Sequence, residues 1–305
     1  MIADNINKNL AAEDDRLTQG FTGPKMPVTF LFSQARAGST LLMQLMISSM
    51  NVGYVSNLLA RFWKAPYLGA LLDISLRDHN YVSSFTSSFG NVQGAQEPHE
   101  WGWFWRHWLK LEKEQAFCHD NADIDRQGLK SKIAALEEVF GAPLVFDNVF
   151  AMNNFSLIRD ILGQVLVIHM ERDPYFLCNS LINARINRHG DIYTHYGNAP
   201  QNTEEIETLQ DPVERIVAQV SATTREMDQH LINMPSERVF RVAYEELINT
   251  PWEIMSKLAE FLNDHDAKVD MRNNLADIEF KSRNTLQVIN PDYKEALDRH
   301  FKAYF

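Results

Sequence analysis

Short apolar runs alternate with stretches of helical periodicity along most of the chain. Five runs, rich in β-branched and aromatic residues, are typical of strands buried on both faces; they lie at 28–32, 52–55, 144–146, 165–168 and 239–242. Apolar residues at helical spacing predict helices after residue 38 and over 57–76 (broken near Pro66), 101–111, 155–162, 174–188, 212–232 and 251–262. This alternation predicts an α/β fold whose mainly parallel β-sheet is flanked by helices on both faces.

The polar segments predict the domain organisation. Residues 1–24 are polar and acidic and end at Gly-Pro, so we expect a flexible N-terminal arm followed by a single domain over 25–305. Two long polar loops, 78–97 and 190–211, lie between sheet elements. Because loops beyond the carboxyl ends of parallel strands form the active site in such folds, these loops are expected to border it.

Composition and charge narrow the classes of partner. The 305 residues include 29 Lys and Arg against 40 Asp and Glu, a net charge of -11, which disfavours nucleic acid and anionic membranes as partners. No apolar run reaches the ~18 residues of a transmembrane segment, and the N-terminus lacks the apolar core of a signal peptide, so a cytoplasmic protein is expected. Two cysteines without a CxxC pair predict neither a disulfide framework nor a zinc site, and no metal is expected.

The first chemical signal is the turn over residues 33–40, called the phosphate turn below. It leaves the first strand and enters a helix, which directs free backbone N–H groups and the helix dipole at one point. Its second half supplies a guanidinium, a glycine and two hydroxyls: Arg36, Ala37, Gly38, Ser39 and Thr40. This arrangement is P-loop-like, but the Walker pattern has a lysine after the second glycine, where this chain has Ser39. An ordinary strand–helix turn with a Ser/Thr cap is the alternative.

A second motif ends the strand at 165–168. Arg172-Asp173-Pro174 stands at its carboxyl end, a helix begins at the proline, and Ser180 follows eight residues after Arg172. Arg172 can therefore reach a second anion beside the first, unless Arg172 and Asp173 only cap the helix.

The two motifs occur in order with a third, Tyr244-Glu-Glu-Leu247 followed by Pro251. Together they resemble the PAPS-dependent sulfotransferase family, and the overall likeness is to its bacterial, cytosolic-type members. PAPS is 3′-phosphoadenosine 5′-phosphosulfate, and its desulfated product is PAP. The resemblance spans roughly residues 28–262. The family's Gly-rich basic loop near the C-terminus is not clearly present, and residues 281–284 are either its replacement or surface charge.

The resemblance implies transfer of a sulfuryl group from PAPS to a hydroxyl or amine of a small-molecule, sugar or lipid acceptor. It also implies roles for the motifs. The phosphate turn would wrap the 5′-phosphosulfate, and Arg172 and Ser180 would hold the 3′-phosphate. Tyr244 would lie against the adenine, or is simply a half-buried tyrosine at a strand end. Arg36 is placed to stabilise charge on the leaving oxygen, by charge and geometry rather than by proton transfer.

An acceptor hydroxyl must lose a proton to a base within hydrogen-bond reach. The segment 97–108 holds four of the six tryptophans and a cluster of titratable groups delivered by the first long loop. Its Glu100 or His99 is our first hypothesis for the base, Asp147 is the second, and His189 and His195 in the second long loop are the third.

Two other classes of protein fit part of the pattern. A P-loop kinase or another nucleotide-dependent phosphotransferase would need Mg²⁺ ligands and the Walker lysine, and the turn lacks this lysine. A nucleotide-binding protein without catalysis is the remaining alternative.

Overall fold

The computed structural model describes residues 2–78, 81–88, 90, 92–272, 278–286 and 290–305. Its strands are β1 (Val28–Ser33), β2 (Gly53–Tyr54), β3 (Leu144–Asp147), β4 (Val165–Glu171) and β5 (Val239–Ala243). All neighbouring strands pair in parallel, in the order β2-β3-β1-β4-β5. The predicted α/β fold with a parallel sheet is confirmed.

Helices cover both faces of this sheet. In chain order they are α1 (Ile2–Thr18), α2 (Ser39–Ser49), α3 (Pro66–Leu76), α4 (Gly102–Trp108), α5 (Arg126–Phe140), α6 (Val149–Asn153), α7 (Phe155–Leu162), α8 (Pro174–His189), α9 (Thr203–Glu207), α10 (Pro212–Ile232), α11 (Tyr244–Asn249), α12 (Pro251–Asp264) and α13 (Pro291–Tyr304). Short 3₁₀ turns lie at Leu59–Arg61 and Ser236–Arg238.

Two hydrophobic cores lie on opposite faces of the sheet, because successive side chains of a strand point in opposite directions. Phe30 and Phe32 of β1 pack in one core with the buried tryptophans of α4 and residues of α5 and α7. Leu31 packs in the other core with residues of α2, α8 and α12. Burial on both sides therefore explains why β1 is apolar at most of its positions.

The strand order explains why the phosphate turn lies at a ligand-binding position of the sheet. β1 is central, with β3 on one side and β4 on the other. In open parallel sheets the crevice for ligands lies where connections diverge to the two sides, outside the carboxyl ends of the strands. The turn after β1 and the corner after β4 both lie at this end.

Residues 2–18, predicted to belong to a flexible arm, form helix α1, which packs against α3 and α5. Lys132 of α5 is 2% exposed, and its Nζ lies 2.7 Å from a carboxylate oxygen of Asp14 and 2.8 Å from the hydroxyl of Thr18. A buried ammonium needs such partners, so this contact fixes α1 on the domain. The helix was missed because polar residues, rather than an apolar stripe, anchor it.

Three further differences concern local elements. Residues 126–140, to which no element was assigned, form α5, and the second long loop contains the short helix α9. The aromatic helix predicted over 101–111 is confined to 102–108.

No helix within the described ranges is long and apolar enough to cross a membrane.

Candidate active site

The phosphate turn has a backbone that only particular residues tolerate. Arg36 and Gly38 both have positive φ angles, 74° and 108°. A Cβ on Gly38 would lie 2.8 Å from a ring carbon of Tyr244 and 3.0 Å from the methyl group of Met170. The close approach of the turn to Tyr244 therefore requires glycine, and the left-handed Arg36 is a strained residue of the kind that clusters at functional sites.

The corner after β4 contacts the phosphate turn directly. Arg172 is 8% exposed, and its guanidinium donates to the carbonyl of Arg36 at 2.5 Å. The same group donates to the carbonyl of Arg283 at 3.1 Å and to the side-chain oxygen of Asn284 at 2.9 Å. Arg172 thus joins the phosphate turn to the segment 281–284. Asp173 accepts from the N–H of Tyr175 at 2.8 Å, so it does cap α8.

A small pocket of about 160 Å³ lies between these elements. Arg36, Ser180 and Arg283 line it, and the Nε of Arg36 donates to the Ser180 hydroxyl at 3.2 Å. Its volume is that of roughly five water molecules at ~30 Å³ each, which suits a phosphate-sized anion. The segment 281–284, considered either a basic-loop replacement or surface charge, therefore contributes Arg283 to an anion pocket.

Tyr244 directly follows β5 and is buried against the phosphate turn and the β4 corner. The residue is 4% exposed, and the Arg172 guanidinium lies 4.5 Å from its ring centre. Gly38 approaches the same ring, and the Tyr244 hydroxyl accepts from the N–H of Arg283 at 2.8 Å. Tyr244 therefore braces the phosphate turn against Arg283, and its contact with an adenine stays a prediction.

A large cavity of about 880 Å³ lies on the other side of the phosphate turn. Ser39 and Thr40 of the turn line it, and so do all three residues of the first two hypotheses for the base, His99, Glu100 and Asp147. Other walls come from residues 57, 58 and 61, from 90 and 92–95 of the first long loop, from Pro98, and from 188 and 196–198. His189 and His195 are not among its lining residues. Arg36 lines the small pocket instead, so the turn separates the two spaces.

Glu100 and Asp147 are the two carboxyls that line this cavity. Asp147 ends β3 beside β1, where it pairs in register with Leu31, and it accepts a hydrogen bond from the Ser39 hydroxyl. Glu100 precedes Trp101, whose φ is 56°, and the Glu100 carbonyl accepts from the side chain of Asn148 at 2.8 Å. The strained turn at Trp101 therefore holds Glu100 at the cavity near the end of β3.

The environment shifts the pKa of both carboxyls upward. The Glu100 side chain is exposed to the cavity, but the surrounding walls limit hydration of its carboxylate. Restricted hydration and the neighbouring charge of Asp147 raise the pKa of Glu100. Burial also raises the pKa of Asp147, and the Ser39 hydroxyl only partly offsets that shift. A raised pKa is the property expected of a cavity carboxyl that acts as a general base.

His99 is less suited to accept a proton. Its Nδ1 accepts from the N–H of Trp101 at 2.8 Å. A neutral imidazole has one acceptor nitrogen, so the other nitrogen, Nε2, carries hydrogen. Burial, together with the charge of Arg61, holds the pKa of His99 below its usual range, which keeps the ring neutral. The geometry therefore makes His99 a hydrogen-bond donor and favours Glu100, followed by Asp147, as the base.

Glu97 fixes the first long loop to the site. It is 1% exposed, and its carboxylate accepts from the Ser83 hydroxyl at 2.6 Å, the Ser84 N–H at 2.9 Å and the Gln44 side chain at 3.2 Å. Burial alone would raise the pKa of this carboxyl, but the hydrogen bonds outweigh burial and hold the pKa below its usual range. Glu97 is thus a charged structural residue that ties the loop to α2, directly after the phosphate turn.

Three other residues at the site were not predicted from the sequence. Asn198 is 7% exposed, and its side-chain oxygen accepts from the N–H of Ala35 in the phosphate turn at 2.6 Å. Arg61 and Arg188 line the large cavity. Arg61 ends a short 3₁₀ turn and Arg188 lies in the last turn of α8, and no local motif distinguishes either arginine from an ordinary surface residue.

Within the described ranges, no three His, Cys, Asp or Glu side chains come together in a way that could hold a metal ion.

The phosphate turn, the corner after β4 and a carboxyl-lined cavity lie together at the carboxyl end of a parallel sheet, the place where ligands bind in open α/β folds. The chain belongs to the sulfotransferase family, whose model matches residues 27–264. A comparison with curated protein sequences gives no significant match.

Two solved structures share the fold. Sulfotransferase STF1 from Mycobacterium tuberculosis H37Rv is similar at 13% identity and a TM-score of 0.55, over 98% of this chain and 81% of that one. Sulfotransferase STF9 from Mycobacterium avium is similar at 13% identity and a TM-score of 0.55, over 98% of this chain and 72% of that one. At this identity the likeness concerns the fold alone.

Proposed function

We propose that this chain transfers a sulfuryl group from PAPS to a hydroxyl, or an amine, of a small-molecule, sugar or lipid acceptor. The observation that carries the proposal is the contact between the phosphate turn and the β4 corner. Arg172 bonds to the Arg36 carbonyl, and Arg36 bonds to Ser180. Two anion-binding elements in contact suit one ligand with two phosphate-sized groups.

The residues present fit such a donor. Ser180 and Arg283 would hold the 3′-phosphate in the small pocket, with Arg172 fixing the pocket walls, and the Arg36 side chain, bonded to Ser180, would lie between this phosphate and the 5′-phosphosulfate. The backbone of the phosphate turn, with Ser39 and Thr40, would hold the 5′-phosphosulfate toward the large cavity. The chain carries a net charge of -11, so this local group of arginines is what makes an anion site possible here.

The acid–base chemistry is assigned to the cavity side of the turn. Bound PAPS supplies an activated sulfuryl group, whose sulfur–oxygen bond to the 5′-phosphate breaks as the acceptor oxygen bonds to sulfur. Glu100 takes the proton from the acceptor, and Asp147, bonded to Ser39, raises the basicity of Glu100 through its charge. Arg36 and the turn amides stabilise the charge that develops on the leaving oxygen, as in the related case of phosphoryl transfer.

Transfer of ³⁵S from labelled PAPS to a panel of alcohols, phenols, sugars and amines tests this function. We expect label in at least one acceptor and a large loss of transfer in Glu100→Gln. Labelled product with an unchanged rate in Glu100→Gln would contradict the role of Glu100. Binding of PAP without transfer to any acceptor would favour a nucleotide-binding protein without catalysis, and ATP-dependent phosphorylation without sulfate transfer would favour a kinase.

A further inference from the structure

Two arginines in the large cavity take no part in the proposed chemistry. Arg61 and Arg188 both line the cavity and are exposed to it. Within the described part of the chain, neither guanidinium forms an ion pair with a carboxylate; Arg188 instead lies 5.2 Å from the ring centre of Tyr196. In a chain with more acidic than basic residues, two unpaired cations facing one cavity indicate an anionic ligand.

Arg61 lies on the wall that carries the proposed base. The N–H of His99 donates to the carbonyl of Val55 at 2.8 Å, and the N–H of Asn57 donates to the carbonyl of Glu97 at 2.9 Å. These bonds join the segment 55–61 to the segment that presents Glu100. The charge of Arg61 also contributes to the lowered pKa of His99, which is consistent with their proximity.

Arg188 lies on a different wall. It contacts Tyr196, and the adjoining Asn198 bonds to Ala35 of the phosphate turn. Arg188 is therefore associated with the turn and with the donor, whereas Arg61 is associated with the acceptor side of the cavity.

The backbone that presents Arg61 is fixed from behind. Asn7 of α1 is 1% exposed; its side chain donates to the Arg61 carbonyl at 2.7 Å and accepts from the N–H of Lys64 at 2.6 Å. α1 is in turn held by the buried contact between Lys132 and Asp14. The position of the Arg61 turn is thus determined by two buried polar contacts, while the guanidinium itself stays available.

We infer that the acceptor carries an anionic group, such as a carboxylate, sulfate or phosphate, which Arg61 binds while the reacting hydroxyl meets Glu100. This inference rests on the proposed sulfuryl transfer. A guanidinium offers a fork of N–H donors that matches planar or tetrahedral oxyanions. The charges of the donor already have partners in the phosphate turn and small pocket, so the oxyanion at Arg61 belongs to the second substrate.

Three phenols that share one ring and differ in charge provide the test. They are 4-hydroxyphenylacetate, its neutral amide 4-hydroxyphenylacetamide, and the cation tyramine. With PAPS as donor, kcat/KM of the unmodified chain should be about 10- to 100-fold higher for the anion than for the amide, as expected for one charge-assisted interaction. Tyramine should be the poorest of the three.

Variants assign the preference to one side chain. Arg61→Gln should reduce kcat/KM for the anion to the level of the amide, and Arg61→Glu should favour tyramine. Arg225→Gln, on an exposed position of α10, removes the same charge elsewhere and should keep the preference of the unmodified chain. Equal rates for the three phenols, or an anion preference that survives Arg61→Gln, would overturn the inference.

The same compounds are also compared as ligands, by the melting temperature with PAP present, so that the test does not depend on phenols being turned over. The same order of stabilisation is expected, and its absence in both assays counts against the inference. Failure of the proposed function would look different, because PAP itself would then not stabilise the chain and no acceptor of any charge would receive label.

Discussion

The guanidinium of Arg172 donates a 2.5 Å hydrogen bond to the backbone carbonyl of Arg36, a residue 136 positions earlier in the chain. This bond places the corner after β4 against the turn after β1. Two motifs that are separate in sequence therefore lie in contact at one site. Had the two arginines been on opposite sides of the domain, no single nucleotide could have reached both.

The first prediction concerns Arg36. Arg36→Ala should lower kcat by about 10²- to 10³-fold, the usual effect of removing one group that stabilises developing charge. The affinity for PAP should change much less, because Ser180 and Arg283 remain in the small pocket. Stopped-time transfer assays and calorimetric titration with PAP measure the two quantities. Arg36→Lys, which keeps the charge, should recover part of the rate; near-normal turnover of the alanine variant would contradict the assigned role.

Tyr244→Phe tests the bracing role of the tyrosine. The change keeps the ring against Gly38 and Arg172 but removes the hydroxyl that accepts from the Arg283 N–H. We expect PAP to bind several-fold more weakly, while the free energy of unfolding falls by only about 1 kcal/mol, the typical net value of one hydrogen bond. Titration with PAP and chemical denaturation give both numbers. Unchanged PAP affinity would indicate that the hydroxyl does not position Arg283.

Much of the sheet could be predicted because its central strands are predominantly apolar and lie between two hydrophobic cores. The short segment Val28–Phe32 and the clear run Val165–Ile168 became β1 and β4, and both turn motifs followed from them. Elements held by polar contacts could not be predicted this way. Helix α1 depends on buried Asp14 and Lys132, a pairing 118 residues apart that no local periodicity shows.

The site followed the same division. Arg36 and Arg172, which the two motifs place after neighbouring strands, lie in contact in the structure. The tautomer of His99 depends on its hydrogen bond with the Trp101 N–H, and the position of Arg61 depends on the fold around the large cavity. Sequence spacing carries no information about either. Tyr244 follows the strand as predicted, but sequence spacing could not show that its ring is buried against the Arg172 guanidinium.

The pH profile of transfer should report on Glu100. A base must be deprotonated, and restricted hydration with the charge of Asp147 raises the pKa of Glu100. The acid limb of kcat/KM should therefore lie above the range of an ordinary carboxyl, with activity falling as the pH drops through it. Glu100→Gln should lower kcat by about 10²- to 10⁴-fold.

Asp147→Asn provides the matched comparison for that profile. It removes the negative charge that raises the pKa of Glu100, so the acid limb should move to lower pH while activity above neutral pH persists in part. An acid limb in the same place in both proteins would show that the two carboxyls do not interact.

The stability of the folded chain should fall over the pH range in which its activity rises. A carboxyl whose folded-state pKa is raised favours the folded chain at low pH, and that contribution is lost as the pH rises through the raised pKa. The side chain of Glu100→Gln cannot ionise. The melting temperature of this variant should therefore exceed that of the unmodified chain above neutral pH and approach it at acidic pH. Melting curves at pH 5, 7 and 8.5 measure this difference, and a gap that widens toward acid would refute the assignment.

The central claim is that the two joined anion pockets bind one adenosine nucleotide with 3′- and 5′-phosphates. Its most direct test is the melting temperature in the presence of PAP, 5′-AMP, or ATP with Mg²⁺. Since a ligand at about 100 times its Kd stabilises the folded state by ~2.7 kcal/mol, PAP should raise the melting temperature by several degrees. We predict a smaller shift with 5′-AMP, which lacks the 3′-phosphate; stabilisation by ATP with Mg²⁺ and none by PAP would contradict the account.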